Sequence, residues 1–140
     1  MVLKRLVLLS LAAVFLLAAC APQVTPVESD SDPVISLGGE LYQANCQACH
    51  GGATGGSVTD IPPPHNADGH TWHHSDCLLT EIILEGSPPR PGLPEGVGPM
   101  PSFEGQLTVD EVAAILTYIK TWWTEEQREF QAEITDRLCQ

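Results

Sequence analysis

Positive charge is scarce in this 140-residue chain. Six Lys and Arg stand against 18 Asp and Glu, for a net charge of −12. A nucleic-acid binder needs a basic patch, so that class is excluded. Aromatic residues make up only 6%, which leaves a modest supply of large core side chains. Long apolar runs are missing as well. The longest, residues 6–17, falls short of the ~20 residues a membrane-spanning helix needs. Methionine is nearly absent, with two in total, one of them the initiator. The glycine-rich run over residues 51–56 lacks the Lys-Ser/Thr ending and the preceding strand of a phosphate loop, and reads as a flexible loop.

What is present begins with an address. Lys4 and Arg5 precede the apolar run, and residues 1–19 read as a signal peptide. The run ends in Leu17-Ala18-Ala19-Cys20, which resembles the lipobox of bacterial lipoproteins. That resemblance implies cleavage before Cys20 and its lipidation; an ordinary secretory signal is the alternative. Several acyl chains hold a protein stably where one holds it marginally, so the expected location is the extracytoplasmic face of a bacterial membrane, periplasmic or cell-surface. Losing Lys4 and Arg5 leaves four basic residues against 18 acidic, a charge of about −14. Residues 20–35 carry Pro22, Pro26, Pro33, Glu28, Asp30 and Asp32 without apolar periodicity, and read as an acidic flexible tether. About 100 residues remain, a small domain for a self-sufficient core.

The centre of the chain is Cys46-Gln47-Ala48-Cys49-His50. A Cys-x-x-Cys-His run reads as a c-type haem attachment site. Two thiols three residues apart reach two vinyl groups of one porphyrin, and the next side chain can turn under the ring to the iron. A thioredoxin-like redox pair would want a βαβ context, and a zinc site a second Cys/His pair. A bound haem would add the apolar contact area the small core lacks.

Ser36 is a candidate N-cap for a helix leading into this motif. Gly38, Tyr42 and Cys46 fall four apart, on one face. The run Gly38-x-x-x-Tyr42-x-x-x-Cys46-x-x-Cys49-His50 resembles the N-terminal helix of class I c-type cytochromes. The resemblance covers residues 36–123. It implies an all-α fold of three main helices around one covalent haem c, with Gly38 at the crossing with the last family helix and Tyr118 beside it. It implies a proline carbonyl that accepts from the proximal His50. The family's Gly-Pro-x-Leu is absent, and Pro62 or Pro63 is the candidate. It implies that Met100, between Pro99 and Pro101 in a proline-rich loop over residues 87–106, is the sixth iron ligand; His65, His70, His73 and His74 are rivals.

The run Gly69-His70-Thr71-Trp72-His73-His74 resembles that of a subgroup of bacterial monohaem cytochromes. Trp72 is expected to pack on the haem or bond a propionate. Ser75 or Asp76 can cap the helix that follows, which Gly86 ends. Thr108 and Glu111 form a capping box, Leu107 and Val112 a hydrophobic staple. An amphipathic stripe runs from Val112 through Ile115, Leu116 and Ile119 to Trp122 and Trp123. Residues 124–140 exceed the family pattern and read as an extra helix capped by Thr124 and Gln127, with Phe130, Ile134 and Leu138 on a stripe. With Cys20, Cys46 and Cys49 assigned, Cys77 and Cys139 are left as a disulfide pair for an oxidising compartment.

The implied function is electron transfer between respiratory redox partners such as a terminal oxidase, through a transient interface with a basic docking face. No catalysis or small-molecule substrate is expected, since His50 and Met100 leave the iron no open position. Two alternatives stand beside it. One is a haem sensor with a displaceable Met100. The other is a copper-handling protein using His70, His73, His74 and Cys77.

Overall fold

A computed structural model describes residues 32–55, 61–89, 91–93 and 98–140. The expected signal peptide, Cys20 and the tether up to residue 31 lie outside the described residues. Five α-helices and one 3-10 turn are present among them, with only isolated β-bridges between Gly52 and Gly55 and between Glu104 and Leu107. The fold is all-α. Among the described residues no helix is long and apolar enough to cross a membrane.

Helix α1 spans Pro33–Asn45 and starts three residues before the expected domain boundary. Asp32, not Ser36, is its cap: the carboxylate accepts from Val34 N–H at 2.8 Å. Pro33 at the first helical position has its φ pre-set for the helix. Ser36 N–H donates to Asp32 O at 3.0 Å, the first i−4 bond, so Ser36 is already inside the helix. Residues 33–35 therefore belong to α1 and not to the tether. Helix α2 is a single turn, Gln47–His50, hinged on Cys46.

After the 3-10 turn Thr71–His73, helix α3 runs over Asp76–Glu85. Ser75 occupies its N-cap position without a side-chain cap bond. The Cys77 N–H that such a cap would serve donates to Cys139 Sγ at 3.2 Å, and the Asp76 N–H donates to Thr135 Oγ1, from the far end of the chain, at 3.0 Å. Gly86 ends α3 with φ 78°. Helix α4, Val109–Lys120, begins on the Thr108–Glu111 capping box. It stops two residues short of Trp122, so Trp122 and Trp123 sit in the turn beyond it.

The core forms where α1 crosses α4. Tyr42 from α1 packs with Val112, Ile115, Leu116 and Ile119 from α4, Leu79 from α3, and Phe103, Leu107 and Trp123 from the flanking loops. The crossing is a backbone contact: a Cβ on Gly38 would lie 2.0 Å from Ala114 O. Rings close around it, Tyr42 to Trp122 at 5.1 Å, Tyr42 to Tyr118 at 5.8 Å and Tyr118 to Trp122 at 5.1 Å. Each is tilted or edge-on, the arrangement the ring quadrupoles favour.

Helix α5, Glu125–Leu138, starts on a second capping box, Thr124 with Gln127. The anticipated stripe is corrected here. Ile134 is buried, but Phe130 and Leu138 are exposed, and the inward position beside Ile134 goes to Gln131. Gln131 is 1% exposed, and its amide nitrogen donates to His74 O, Asp76 Oδ1 and Thr135 Oγ1. A buried amide is tolerated only when its hydrogen bonds are made. Asp76 is the hub of this contact, since its other carboxylate oxygen accepts from Lys120 Nζ at 2.6 Å. Cys77 at the start of α3 and Cys139 at the end of α5 form a disulfide, with Cα atoms 5.6 Å apart.

Candidate functional site

The chain around His50 is held from both sides. Cys46 ends α1 and opens α2, so its side chain is carried directly by the crossing helix. One turn back, Tyr42 sends its phenol past Cys46 and donates to Gly51 O at 2.8 Å. Gly51 turns the chain out of α2 with φ 73°. His50 is thereby left buried, Cys46 buried and Cys49 exposed.

His50 Nδ1 lies 2.7 Å from Pro63 O. A carbonyl can only accept, so Nδ1 carries the proton and Nε2 keeps a free lone pair. Pro63, rather than Pro62, supplies the contact. Two residues on, the His65 ring stacks on the His50 ring, centroids 4.2 Å apart and planes 24° apart. His65 is held by Thr71 Oγ1 at 2.8 Å from its Nδ1 and by Trp123 Nε1–H, which donates to His65 O at 2.8 Å.

Met100 enters by way of α3. Its N–H donates to Ser87 Oγ at 2.9 Å, and Ser87 N–H donates to Met100 O at 3.0 Å. Tyr42, Cys46, Cys49, His50, His65 and Met100 line one cleft, walled by Ile83, Phe103, Ile115 and Ile119. Counted out to its open mouth, the empty space is about 480 Å³.

Burial sets the titration of the cleft. It pushes the Cys46 thiol up to about 11, with nearby Cys49 adding to the effect. It lowers His50 below the ordinary imidazole value, against the opposing pull of the Pro63 carbonyl. It drives His65 down to about 3, helped by His50 and then His70. Burial first, then Cys46 and Tyr118, raises Tyr42 well above the ordinary phenol. Around neutral pH the cleft therefore holds no charged side chain among these groups. That suits a large apolar ligand, and the two thiols, the free Nε2 of His50 and the thioether of Met100 are the donor types that haem c takes. The residues present fit that group.

Trp72 is not brought to the cleft. Its indole N–H donates to Gly69 O at 2.9 Å, and its ring stacks on His73 at 3.5 Å and meets the edge of Phe130 at 5.7 Å. Helix α5, outside the resembled pattern, supplies Phe130. His70, His73 and His74 also lie outside the lining. The copper reading fails on Cys77, whose sulfur is spent in the disulfide. Among the described residues no three His, Cys, Asp or Glu side chains are grouped to hold a metal ion. His65 is the cleft residue that sequence reasoning placed only among the rivals of Met100. Its signal was its offset: it stands two after Pro63, where the family pattern Pro-x-Leu puts an apolar side chain.

Comparison with known proteins agrees with this arrangement. Residues 35–123 match the family model for cytochrome c. A cytochrome c6 from Tetradesmus obliquus is 29% identical over 89 residues, 61% of this chain and 86% of its own. One from Leptolyngbya boryana is 29% identical over 84 residues, 60% of this chain and 87% of its own. No solved structure matches the chain. The family match spans well over half of the sequence, and the chain therefore belongs to the cytochrome c family, haem proteins that hold haem c covalently and transfer electrons.

Proposed function

We propose that this protein is a membrane-tethered monohaem carrier that passes single electrons between respiratory partners and catalyses no reaction of its own. One observation carries the reading: Cys46, Cys49, His50 and Met100 line a single apolar cleft. Cys46 and Cys49 would hold haem c through thioethers, and His50 and Met100 would bind its iron. Bound there, haem c supplies an iron that gains or loses one electron. The Pro63 carbonyl fixes the His50 ring and makes its Nε2 a better donor. The Met100 thioether favours the reduced iron and raises the potential. Ile83, Phe103, Ile115 and Ile119 give the site an apolar wall.

The optical spectrum tests the ligand set. The oxidised protein shows the weak near-infrared Met–Fe(III) band, and the reduced protein ignores carbon monoxide. In Met100→Ala the band disappears, the potential falls and the reduced form binds carbon monoxide. An unchanged spectrum and potential in that variant would put a displaceable-ligand sensor in place of the carrier.

The lipobox at Cys20 and the net charge of −12 support the rest of the reading: an anchor on the extracytoplasmic membrane face and a partner with a basic docking face, such as a terminal oxidase. Cys20→Ser washes off membrane vesicles that retain the unmutated protein. Electron transfer from the released form to the oxidase slows as salt rises, because screening shortens the reach of the steering field. Retention of the variant, or a salt-independent rate, counts against the anchor or the steering respectively.

A further inference from the structure

Met100 is a flexible side chain on a loop, and nothing local to residues 99–101 keeps it at the cleft. Pro99 and Pro101 have no N–H, so Met100 carries the one amide of that tripeptide. That amide is spent on Ser87 Oγ at 2.9 Å, and the Met100 carbonyl accepts from Ser87 N–H at 3.0 Å. The two residues are thus bracketed by a reciprocal pair of bonds across 13 positions of sequence.

The bracket depends on the residue before it. Gly86 has φ 78°, and a Cβ there would lie 2.6 Å from Met100 O and 2.8 Å from Ser102 N. Only a glycine lets the Met100 segment come this close to the end of α3. Beyond Met100 the same segment is secured again. Ser102 Oγ donates to Leu84 O at 2.6 Å, Phe103 N–H to Ile83 O at 3.2 Å and Glu104 N–H to Leu84 O at 3.0 Å. These hold Phe103 as part of the cleft wall but lie after the methionine. Among the described residues, the hydrogen bonds of Met100 itself are the two it shares with Ser87, one donated and one accepted.

We propose that Ser87 is the positioning residue of the sixth ligand: its hydroxyl and amide hold the Met100 backbone at the cleft and set how readily another ligand displaces the thioether. The proposal rests on the reading of Met100 as a residue that would bind the haem iron. Displacement requires the Met100 segment to open, and the apparent affinity of an incoming ligand scales with the open fraction. A bond made only in the closed form lowers that fraction. Ser87→Ala removes the hydroxyl and leaves the Met100 amide without its partner.

The test uses the oxidised, full-length holoprotein titrated with imidazole, with loss of the near-infrared band as readout. Ser87→Ala binds imidazole about three- to tenfold more tightly than the unmutated protein, the worth of one ordinary hydrogen bond. Ser87→Thr keeps a hydroxyl and stays within about twofold of the unmutated value. Gln131→Leu, which weakens the remote α3–α5 contact, leaves the affinity unchanged. Equal affinities for Ser87→Ala and the unmutated protein overturn the proposal alone. So does tightening of equal size in Gln131→Leu, which would mark a general loss of stability. Absence of the band from the unmutated protein overturns the Met100 reading itself, and the proposal with it.

Discussion

Gly38→Ala lowers the melting temperature by about 12 °C or more. In an exposed helix the same change is favourable by ~1 kcal/mol, because alanine loses less backbone entropy than glycine. At Gly38 the sign reverses. The new Cβ would lie 2.0 Å from Ala114 O and 2.6 Å from Ala114 C, backbone atoms of α4 that cannot rotate away. The two helices have to part, and the ring cluster of Tyr42, Tyr118 and Trp122 parts with them. Overpacking of this kind costs about 3 kcal/mol or more, and each kcal/mol moves a domain of this size by about 4–8 °C. Gly39→Ala is the control. Its Cβ meets the Tyr118 ring at 3.0 Å, a side chain that can give, and the propensity gain offsets the contact to within about 1 kcal/mol. Thermal unfolding by circular dichroism separates the two; equal shifts in both variants would remove the backbone-crossing argument.

Breaking the Cys77–Cys139 bond is the second large effect. The bridge joins residues 62 apart, and the loop-entropy relation assigns a closure of that length about 4 kcal/mol. Helix α5 has little else to hold it by apolar burial, since Ile134 is its buried hydrophobic residue and Phe130 and Leu138 are exposed. What remains is polar: Gln131 on His74 and Asp76, Thr135 on Asp76, and Gln127 Nε2, which donates to Ala67 O at 2.9 Å. The double variant Cys77→Ser/Cys139→Ser is expected to unfold at lower guanidinium, by about 4 kcal/mol. Dithiothreitol added to the already reduced, ferrous protein has the same effect, while the thioether-bound haem stays attached. An unfolding midpoint indifferent to reductant would show that the polar contacts suffice.

Some of this molecule is written in short stretches of sequence. The capping boxes Thr108–Glu111 and Thr124–Gln127 lie within four residues each, and both form. The spacing of Gly38, Tyr42 and Cys46 places them on one face of α1, and the stripe from Val112 to Ile119 is the buried face of α4. The cap of α1 is decided at the same range, and it is Asp32. Ser36 and Asp32 are both cap residues, and Pro33 directly after Asp32 was the deciding sign.

Other features had no local signal. Ser75 is a proper cap residue by type, but the Cys77 N–H it would serve is taken by Cys139 Sγ, from 62 residues further along the chain. Trp72 belongs to a run that resembles haem-edge sequences. Its ring stacks on His73 and meets the edge of Phe130 from α5, contacts that no neighbouring stretch of sequence announces. Pro62 and Pro63 are equivalent on paper; only the folded loop decides which carbonyl meets His50 Nδ1. The same holds for His65, whose place against His50 depends on Trp123, 58 residues on.

The sequence by itself determined the helices, the Cys-x-x-Cys-His attachment run and the isolated methionine between prolines, because periodicity, capping and motif spacing act within a few residues. The tertiary structure alone decided which carbonyl steadies His50, which imidazole lies on it, where Trp72 points and what brackets Met100. Each of those depends on atoms brought together from distant parts of the chain, where packing and hydrogen-bond geometry, and no pattern in the sequence, choose among side chains of the same type.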